Sequence, residues 1–411
     1  MPLDPRAIIA GGENAKTEFK RDDRNLRPER LAREIAAFAN MNGGVIVLGV
    51  EDDGRISGVT RRNLQAWLMD TVIGRFIDPQ IVPDYDEFVL DDKQVAIVTV
   101  PAGSAKPYAV RQQERIDYYI RLGDTVQRAG REQMARLFQS GGLVSVEKMP
   151  VHGSSLADLD MRRLEDYFLS VLGEEAVPDW QRTLLNRELL VADEWRPEIR
   201  TCSHAGIVLF AREPRRRMPQ AGIRLLVFPG TDMDYDANLD EVLDIPFVGL
   251  KERRGGRQFV EQSLPNRVLS YLQPHISHER LEGMRRLRHW DYPTEVIREL
   301  LVNAFAHRDW TRPSDVQLTV YADRLEVHSP GALPNGVTVE KAKEGLRVPR
   351  NPNIVNILRD YDFMEHRGMG IRRKVIPLTR AHNGTDPQFD ATEDYFKVIL
   401  HKGNRPVGQS G

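Results

Sequence analysis

Apolar positions along this chain switch repeatedly between strand-like alternation and helical spacing, and the switches outline its elements. Residues 17–20 alternate, with Glu18 and Lys20 on one face and Phe19 on the other. A helix is expected from Pro28, a good first-turn residue, through Leu31, Ile35, Ala36 and Phe38 to Asn40, where Gly43-Gly44 ends it. Residues 45–50 are a continuous apolar, β-branched run and predict a buried strand. Asp52-Asp53-Gly54 should turn that strand into a hairpin partner over 56–59. Further strands are expected at 87–90, 94–100 and 117–121, and a closing helix near 131–139. Downstream, 156–168, 201–210 and 259–272 read as helices and 223–228 as a strand. The stretch 299–310 predicts an amphipathic helix with Leu300, Leu301, Ala304 and Phe305 toward a core. Residues 323–329 form a strand entering the Pro330-Gly331 turn, with a helix around 354–358 and a strand at 395–400. The fold class that follows is α+β, with mostly neighbouring strands.

Composition narrows the function classes. The chain of 411 residues is long enough for two or three domains, and 41% hydrophobic with 29% charged residues is ordinary for a globular protein. No apolar run approaches the roughly 18 residues of a membrane span, and 1–6 lack the basic-then-apolar order of a signal peptide. The single cysteine, Cys202, excludes an internal disulfide and suits a reducing cytoplasm, where it reads as a small buried apolar residue. A net charge of −2 argues against a protein that coats nucleic acid over its whole surface. Of 58 basic residues, 47 are arginine, a bias that suits phosphate recognition and that genomic base composition also produces. The run from Arg212 to Arg217 reads as an exposed loop or as a phosphate contact, and His204 as a structural histidine. Residues 403–411 are expected to be a disordered tail.

Candidate chemistry concentrates on the helix over 299–310. Glu299, Asn303 and His307 stand at i, i+4 and i+8, so a carboxylate, a carboxamide and an imidazole share one face. That face is either a solvated polar stripe or a phosphate–metal site, in which the carboxylate takes a proton from water and the amide oxygen ligates Mg²⁺. Downstream come Gly331, then Arg350-Asn351-Pro352-Asn353, then Gly368 and Gly370 ahead of Ile371-Arg372-Arg373-Lys374. Glycines two apart suit backbone that must approach a phosphate at a helix start. No Gly-x-x-x-x-Gly-Lys-Ser/Thr loop occurs, so a helicase motor is absent.

This ordered set resembles the GHKL (Bergerat-fold) ATP-binding domain, in the divergent branch found at the C-terminus of RecG-like proteins and transcriptional regulators. The resemblance covers roughly 255–402 and implies an α/β sandwich that binds ATP with Mg²⁺. It makes Glu299 the hydrolytic base and Asn303 the Mg²⁺ ligand, and puts Gly331 in the adenine-side turn. It also makes 335–366 the lid, with Gly368 and Gly370 on the phosphates and His307, Ser329, Arg350 and Asn351 in cofactor contact. The family usually has Asp where Ser329 stands, so the adenine contact should be weaker by ~1 kcal/mol. Nucleotide binding is expected, and hydrolysis is left open.

The Ala37-Phe38-Ala39-Asn40 helix end, the double glycine, the following strand and the Asp-Asp-Gly turn are similar to the Schlafen AlbA-type domain, as are Lys106-Pro107-Tyr108 and 118–123. This resemblance spans about 5–140 and implies an α/β nucleic-acid-binding domain, for DNA more than RNA. Lys20, Arg21 and Arg121 are the phosphate candidates, and Tyr118 and Tyr108 the stacking candidates. Some Schlafen proteins use this fold as a metal-dependent RNA nuclease, with carboxylates at the positions of Glu13, Glu18 and Asp52. There Mg²⁺ or Mn²⁺ would activate water, and Lys20 would neutralise phosphoryl oxygens. The alternative is structural: Glu18 pairs with Lys20 or an arginine, and Asp52-Asp53-Gly54 is turn chemistry.

The expected organisation is a nucleic-acid-binding domain over 1–140, an α/β connecting region over 141–254 and an ATP-binding domain over 255–402. The expected function is a cytoplasmic, ATP-binding regulator of DNA occupancy, a homodimer and at most a weak ATPase. Two rivals stand beside it: a metal-dependent endonuclease acting in defence, and an interaction module with a degenerate nucleotide pocket.

Overall fold

The computed structural model describes residues 4–23, 25–251, 259–282, 285–334, 337–346, 348–364 and 369–403. The chain forms two compact units that meet at Val144 and Ser145.

In the first unit, β1 (Thr17–Lys20), β2 (Gly44–Leu48), β4 (Asp84–Leu90) and β5 (Lys93–Val100) form a sheet of order β1–β2–β5–β4. A second sheet of order β3–β6–β7–β8 contains β3 (Ile77–Asp78), β6 (Ala109–Gln112), β7 (Arg115–Leu122) and β8 (Thr125–Arg128). The pair β1–β2 is parallel because α2 (Pro28–Asn40) crosses between them, and the other pairs are antiparallel. The unbroken apolar run of β2 is explained by cover on both sides. Ile46 and Leu48 pack with Leu31, Ile35 and Phe38 of α2, whereas Val47 joins Phe19, Val95 and Ile97 beneath Ile8 and Ile9 of α1 (Pro5–Ala10). The turn at Asp52–Gly54 forms, with Gly54 at φ +81°. The expected strand over 56–59 does not: the chain returns through a single bridge between Val50 and Ile56. The closing helix α3 spans Arg131–Ser140.

A buried amide ties the end of α2 to the second sheet of this unit. The Asn40 side chain, 2% exposed, donates to the carbonyls of Tyr108 and Tyr119 at 2.8 and 2.9 Å, and accepts from the Tyr108 N–H at 2.7 Å.

The second unit is built on a six-stranded sheet of order β10–β9–β11–β12–β14–β13. Its strands are β9 (Ile223–Val227), β10 (Leu239–Leu243), β11 (Val316–Val320), β12 (Arg324–Pro330), β13 (Gln388–Ala391) and β14 (Tyr395–His401). Only β9–β11 is parallel. Because β9 and β10 come from the expected connecting region, 141–254 and 255–402 share one sheet and do not divide at 254. Helix α4 (Leu264–Ile276) starts later than its apolar pattern suggested. Ser263 and Pro265 set its first turn, and Phe259–Glu261 instead pairs as a strand with Leu250–Lys251. Helix α5 (Thr294–His307) stops short of Trp310 because backbone and side chains leave the helical path. The Asp309 N–H donates to the Pro330 carbonyl at 2.8 Å, and the buried Arg308 guanidinium donates to the carbonyls of Gln220, Arg312 and Ser314. Then follow α6 (Val339–Glu344), α7 (Pro352–Asp360), a widened helical turn over Ile371–Val375, and α8 (Ile376–Asn383). Among the described residues no helix is long and apolar enough to cross a membrane.

Replacing Asn40 by Ala leaves two buried carbonyls and one buried N–H without partners. The expected loss is about 3 kcal/mol in urea unfolding; a loss below about 1 kcal/mol would show that the amide does not hold α2 to that sheet.

Candidate functional site

The polar face of α5 opens into a cavity of about 120 Å³. Glu299, Asn303 and His307 form one wall, Val327 and Ser329 of β12 with Phe396 and Val398 of β14 form the floor, and Val337, Ala342, Leu346 and Val348 cover it. The cover comes from the segment read as a lid. Thr338 caps α6 by accepting from the Lys341 N–H, and Gly345 ends it at φ +98°, so the lid is a defined helix here.

The lining is mostly apolar, with Glu299, Asn303, His307 and Ser329 as its polar side chains. Glu299 is 6% exposed. The Asn303 amide N–H donates to Glu299 Oε1 at 3.0 Å, and the Lys374 ammonium lies 3.7 Å from Oε2. The carboxamide oxygen of Asn303 is the end not used in that bond. Gly370 borders the same carboxylate so closely that a Cβ there would collide with it. Gly331 holds φ +104° and leaves no room for a Cβ between Asp309 and the Arg350 guanidinium. Ser329 is 6% exposed and donates its hydroxyl proton to the Ala304 carbonyl at 3.0 Å, joining β12 to α5 beside the cavity.

Two residues expected in cofactor contact stand elsewhere. Asn351 is fully buried and donates to the carbonyls of Ala306 and Arg308 at 3.1 and 2.9 Å, capping the end of α5. Arg350 donates to the Ala332 carbonyl at 2.7 Å, and burial lowers its pKa against the opposing pull of Asp309. Neither lines the cavity. Gly368 lies outside the described residues.

In the first unit the expected phosphate contacts form a buried charge cluster. Glu18 and Lys20 of β1, Glu34 of α2 and Arg121 of β7 are each no more than 9% exposed. Glu18 pairs directly with Lys20, and its other oxygen lies 2.7 Å from Arg121 Nη2. Glu34 lies 3.3 Å from Arg121 Nη1 and 4.0 Å from Lys20 Nζ. The Arg121 guanidinium also covers the Phe38 ring at 4.7 Å. Lys20 and Arg121 therefore spend their charge on carboxylates inside the fold and are not surface phosphate contacts. Burial pushes the Glu34 carboxyl up to about 7, aided by the charge of Glu18 and opposed by Lys20 and Arg121. Glu34 escaped the sequence reading, although it falls on the helix stripe of Leu31, Ile35 and Phe38, where a carboxylate is out of place.

The nuclease carboxylates are not brought together. Glu13 accepts the Phe19 N–H at 2.8 Å, Glu18 belongs to the buried cluster, and Asp52 is exposed on its turn. Among the described residues no three His, Cys, Asp or Glu side chains are placed to hold a metal. Of the remaining nucleic-acid candidates, the Arg21 side chain is 60% exposed, with Asp23 and Glu51 each at 3.5 Å. Tyr118 is half-buried with an edge contact to Phe138, and Tyr108 is 4% exposed and closed to stacking. Cys202 is fully buried and its thiol is pushed up to about 12, which removes it as a nucleophile. His204 shares a 2.9 Å hydrogen bond with the Met149 carbonyl, and burial lowers its pKa.

Residues 13–130 match the family model described as Schlafen, AlbA_2, and residues 314–400 match that described as Putative ATP-dependent DNA helicase recG C-terminal. Among solved structures, the chain is similar to the DIP2311 protein from Corynebacterium diphtheriae at 20% identity, over 98% of this chain and 80% of that one, with a TM-score of 0.43. It is also similar to the N-terminal domain of a putative ATP-dependent DNA helicase RecG-related protein from Nitrosomonas europaea at 21% identity, over 30% of this chain and 92% of that one, with a TM-score of 0.23. No curated protein matches. The two family matches point to nucleic-acid binding and an ATP-related function.

Two outcomes test the geometry directly. Gly370→Ala should cost about 1–3 kcal/mol through its collision with Glu299. The cost should shrink by at least about 1 kcal/mol when Glu299→Ala is present too, a coupling read from a double-mutant cycle. Additive effects would mean the two groups do not meet. Glu34 has a folded pKa above its unfolded one, so its stabilising share is full below the ordinary carboxylate pKa of 4.5 and is lost as pH rises through about 7. Thermal melts between about pH 5 and about pH 8 should therefore decline more steeply for the wild type than for Glu34→Gln; parallel profiles would refute the assignment.

Proposed function

We propose that this chain, which carries an AlbA_2 domain toward one end and a recG C-terminal-type domain toward the other, is an ATP-binding regulator of nucleic-acid occupancy. The observation that carries the reading is the cluster of Glu299, Asn303, Lys374 and Gly370 at a cavity whose other lining is mostly apolar. The cavity of about 120 Å³ is partly open and is below the roughly 300–1,000 Å³ of a pocket that swallows a whole ligand. It suits a flat base between Val327, Ala342 and Phe396, with the phosphates at the end bounded by Glu299, Asn303 and Gly370. The donor set there fits a nucleotide with Mg²⁺. Asn303 would hold the cation through its carboxamide oxygen, and the bound ion would supply neutralisation of phosphate charge. Glu299 is placed to take a proton from an attacking water, and Lys374 faces the same oxygens with positive charge. Gly370 admits backbone where any side chain would displace the carboxylate.

Control of the first unit is supported by the path that leaves the cavity's cover. Within the 335–366 segment, the part that covers the cavity leads through Asn351, which caps α5, into α7. Both ends of α7 are gripped by residues that closely follow the unit boundary. Glu147 accepts the N–H groups of Asn353 and Ile354 at 2.7 and 2.8 Å, and Tyr167 donates to Asp360 at 2.6 Å. Movement of the covering part of that segment with nucleotide shifts α7 and, through Glu147, the start of the second unit. The equilibrium so biased is that of a cytoplasmic homodimer on DNA.

Titration calorimetry with a non-hydrolysable ATP analogue and Mg²⁺ should give binding that Asn303→Ala weakens at least about tenfold, or 1.4 kcal/mol. Glu299→Ala should keep the affinity and abolish any turnover. Absence of heat in the wild type refutes the reading. Incubation with RNA or DNA in Mn²⁺ should leave the strands intact, since Glu13, Glu18 and Asp52 stand apart; cleavage lost on Glu18→Ala would favour a nuclease instead.

A further inference from the structure

The second unit holds another large hollow, remote in chemistry from the α5 cavity. It is an open groove of about 840 Å³, lined among others by Asp160, Arg162, Arg163, Arg212, Glu261 and Arg267. Four guanidinium groups thus face two carboxylates, and the pairing among them is uneven. Arg163, only 4% exposed, donates to the Val248 carbonyl at 2.7 Å, pairs directly with Glu261 and lies 3.4 Å from Asp160. Arg162 reaches the other oxygen of Glu261 at 3.6 Å, so this carboxylate already serves two arginines. Arg212 and Arg267 are exposed and have no carboxylate partner among the described residues. Arg267 also stands in the first turn of α4, where the positive end of a 13-residue helix adds to the same potential. The neighbouring run divides in the same way: Arg217 is spent on Asp158 and Arg215 on Asp315, whereas Arg212 is left to the groove.

We propose that this groove is a second nucleic-acid contact, taking phosphates of a single strand on Arg212 and Arg267 while Arg163 and Glu261 hold its floor rigid. Arginine forks recognise phosphate through paired N–H donors, and a strand laid along a concave, positively charged surface releases counterions for each phosphate it places there. Exposed guanidinium groups along a concave surface suit a flexible single strand, whose phosphates can follow the groove. The inference rests on the nucleic-acid half of the reading above and extends the contact surface beyond the AlbA_2 domain. It does not depend on ATP.

The test uses the full chain and fluorescence anisotropy with labelled single-stranded DNA and RNA over a range of salt. Arg212→Glu/Arg267→Glu should lower affinity at least tenfold, and should reduce the slope of log affinity against log salt by about 1.4, the value for two lost phosphate contacts on a single strand. Arg182→Glu, exposed and outside the groove, should leave the slope unchanged. Arg212→Lys/Arg267→Lys should retain most of the slope, because the charge remains. Equal affinity and slope in the charge-reversed and wild-type proteins, with the same melting temperature, would overturn the groove while leaving the AlbA_2 domain as the binding surface. A wild-type chain that binds neither strand overturns the groove and the nucleic-acid reading together, and calorimetry with nucleotide then reports separately on the α5 cavity.

Discussion

A carboxylate buried in an apolar wall persists only where other groups replace the water it gave up. Glu299 is such a group, and the local architecture follows from satisfying it. Asn303 one turn further along α5 supplies an N–H, Lys374 supplies a positive charge from the widened turn over Ile371–Val375, and Gly370 lets that turn come close enough. Two segments, α5 and the turn that begins at Gly370, are fixed by one side chain. The same set leaves the Asn303 oxygen and the backbone around Gly370 at the cavity. Stability and candidate chemistry therefore draw on the same atoms.

Two further buried carboxylates sit at joints of the fold. Glu147 is fully buried and its pKa is raised by that burial, against the two N–H groups it accepts at the start of α7. Those N–H groups are the ones a helix start leaves unpaired, so the carboxylate compensates for the helix and the helix for the carboxylate. Glu34 joins α2 to β1 and β7, and its charge is opposed by Glu18 as well as by lost solvent. The difference matters for function. Glu147 has donors that hold it in place and suits a rigid connection, whereas Glu34 has a competitor for the same two cations.

Elements with a clear period were legible in the sequence, namely α2, β2, β5, β12 and the core-facing side of α5. Their partners were less so. Strand β9 stood out as an apolar run, but nothing local says that it pairs in parallel with a strand more than ninety residues later. The shared sheet therefore runs across the boundary at 254 that the resemblance over 255–402 had implied. The cavity wall of Glu299, Asn303 and His307 was legible because helical spacing dictates a common face. Arg350 and Asn351 stand outside the cavity lining for a physical reason. The carbonyls that α5 leaves open at Ala306 and Arg308 attract the nearest amide, and a linear sequence does not show which turn ends beside which loop.

Arginine content illustrates the same limit for electrostatics. Counterion release counts only cations that meet phosphate, and an arginine that faces a carboxylate in the interior contributes nothing to it. Arg121 and Arg163 are each 4% exposed and Arg308 is fully buried, all of them engaged by protein oxygens. With a net charge of −2 there is no general field to attract a polyanion. Attraction must come from places where geometry leaves guanidinium groups exposed and without carboxylates. Arg212 and Arg267 meet that condition, and Arg21 meets it only in part, with Asp23 and Glu51 at the edge of contact. A strand that uses such sites binds at a few points of high local charge, so its affinity depends on how those points are spaced. The buried Arg163 is tied to Glu261, which shortly precedes α4 and its Arg267, and that pair is what links the two sides of the groove.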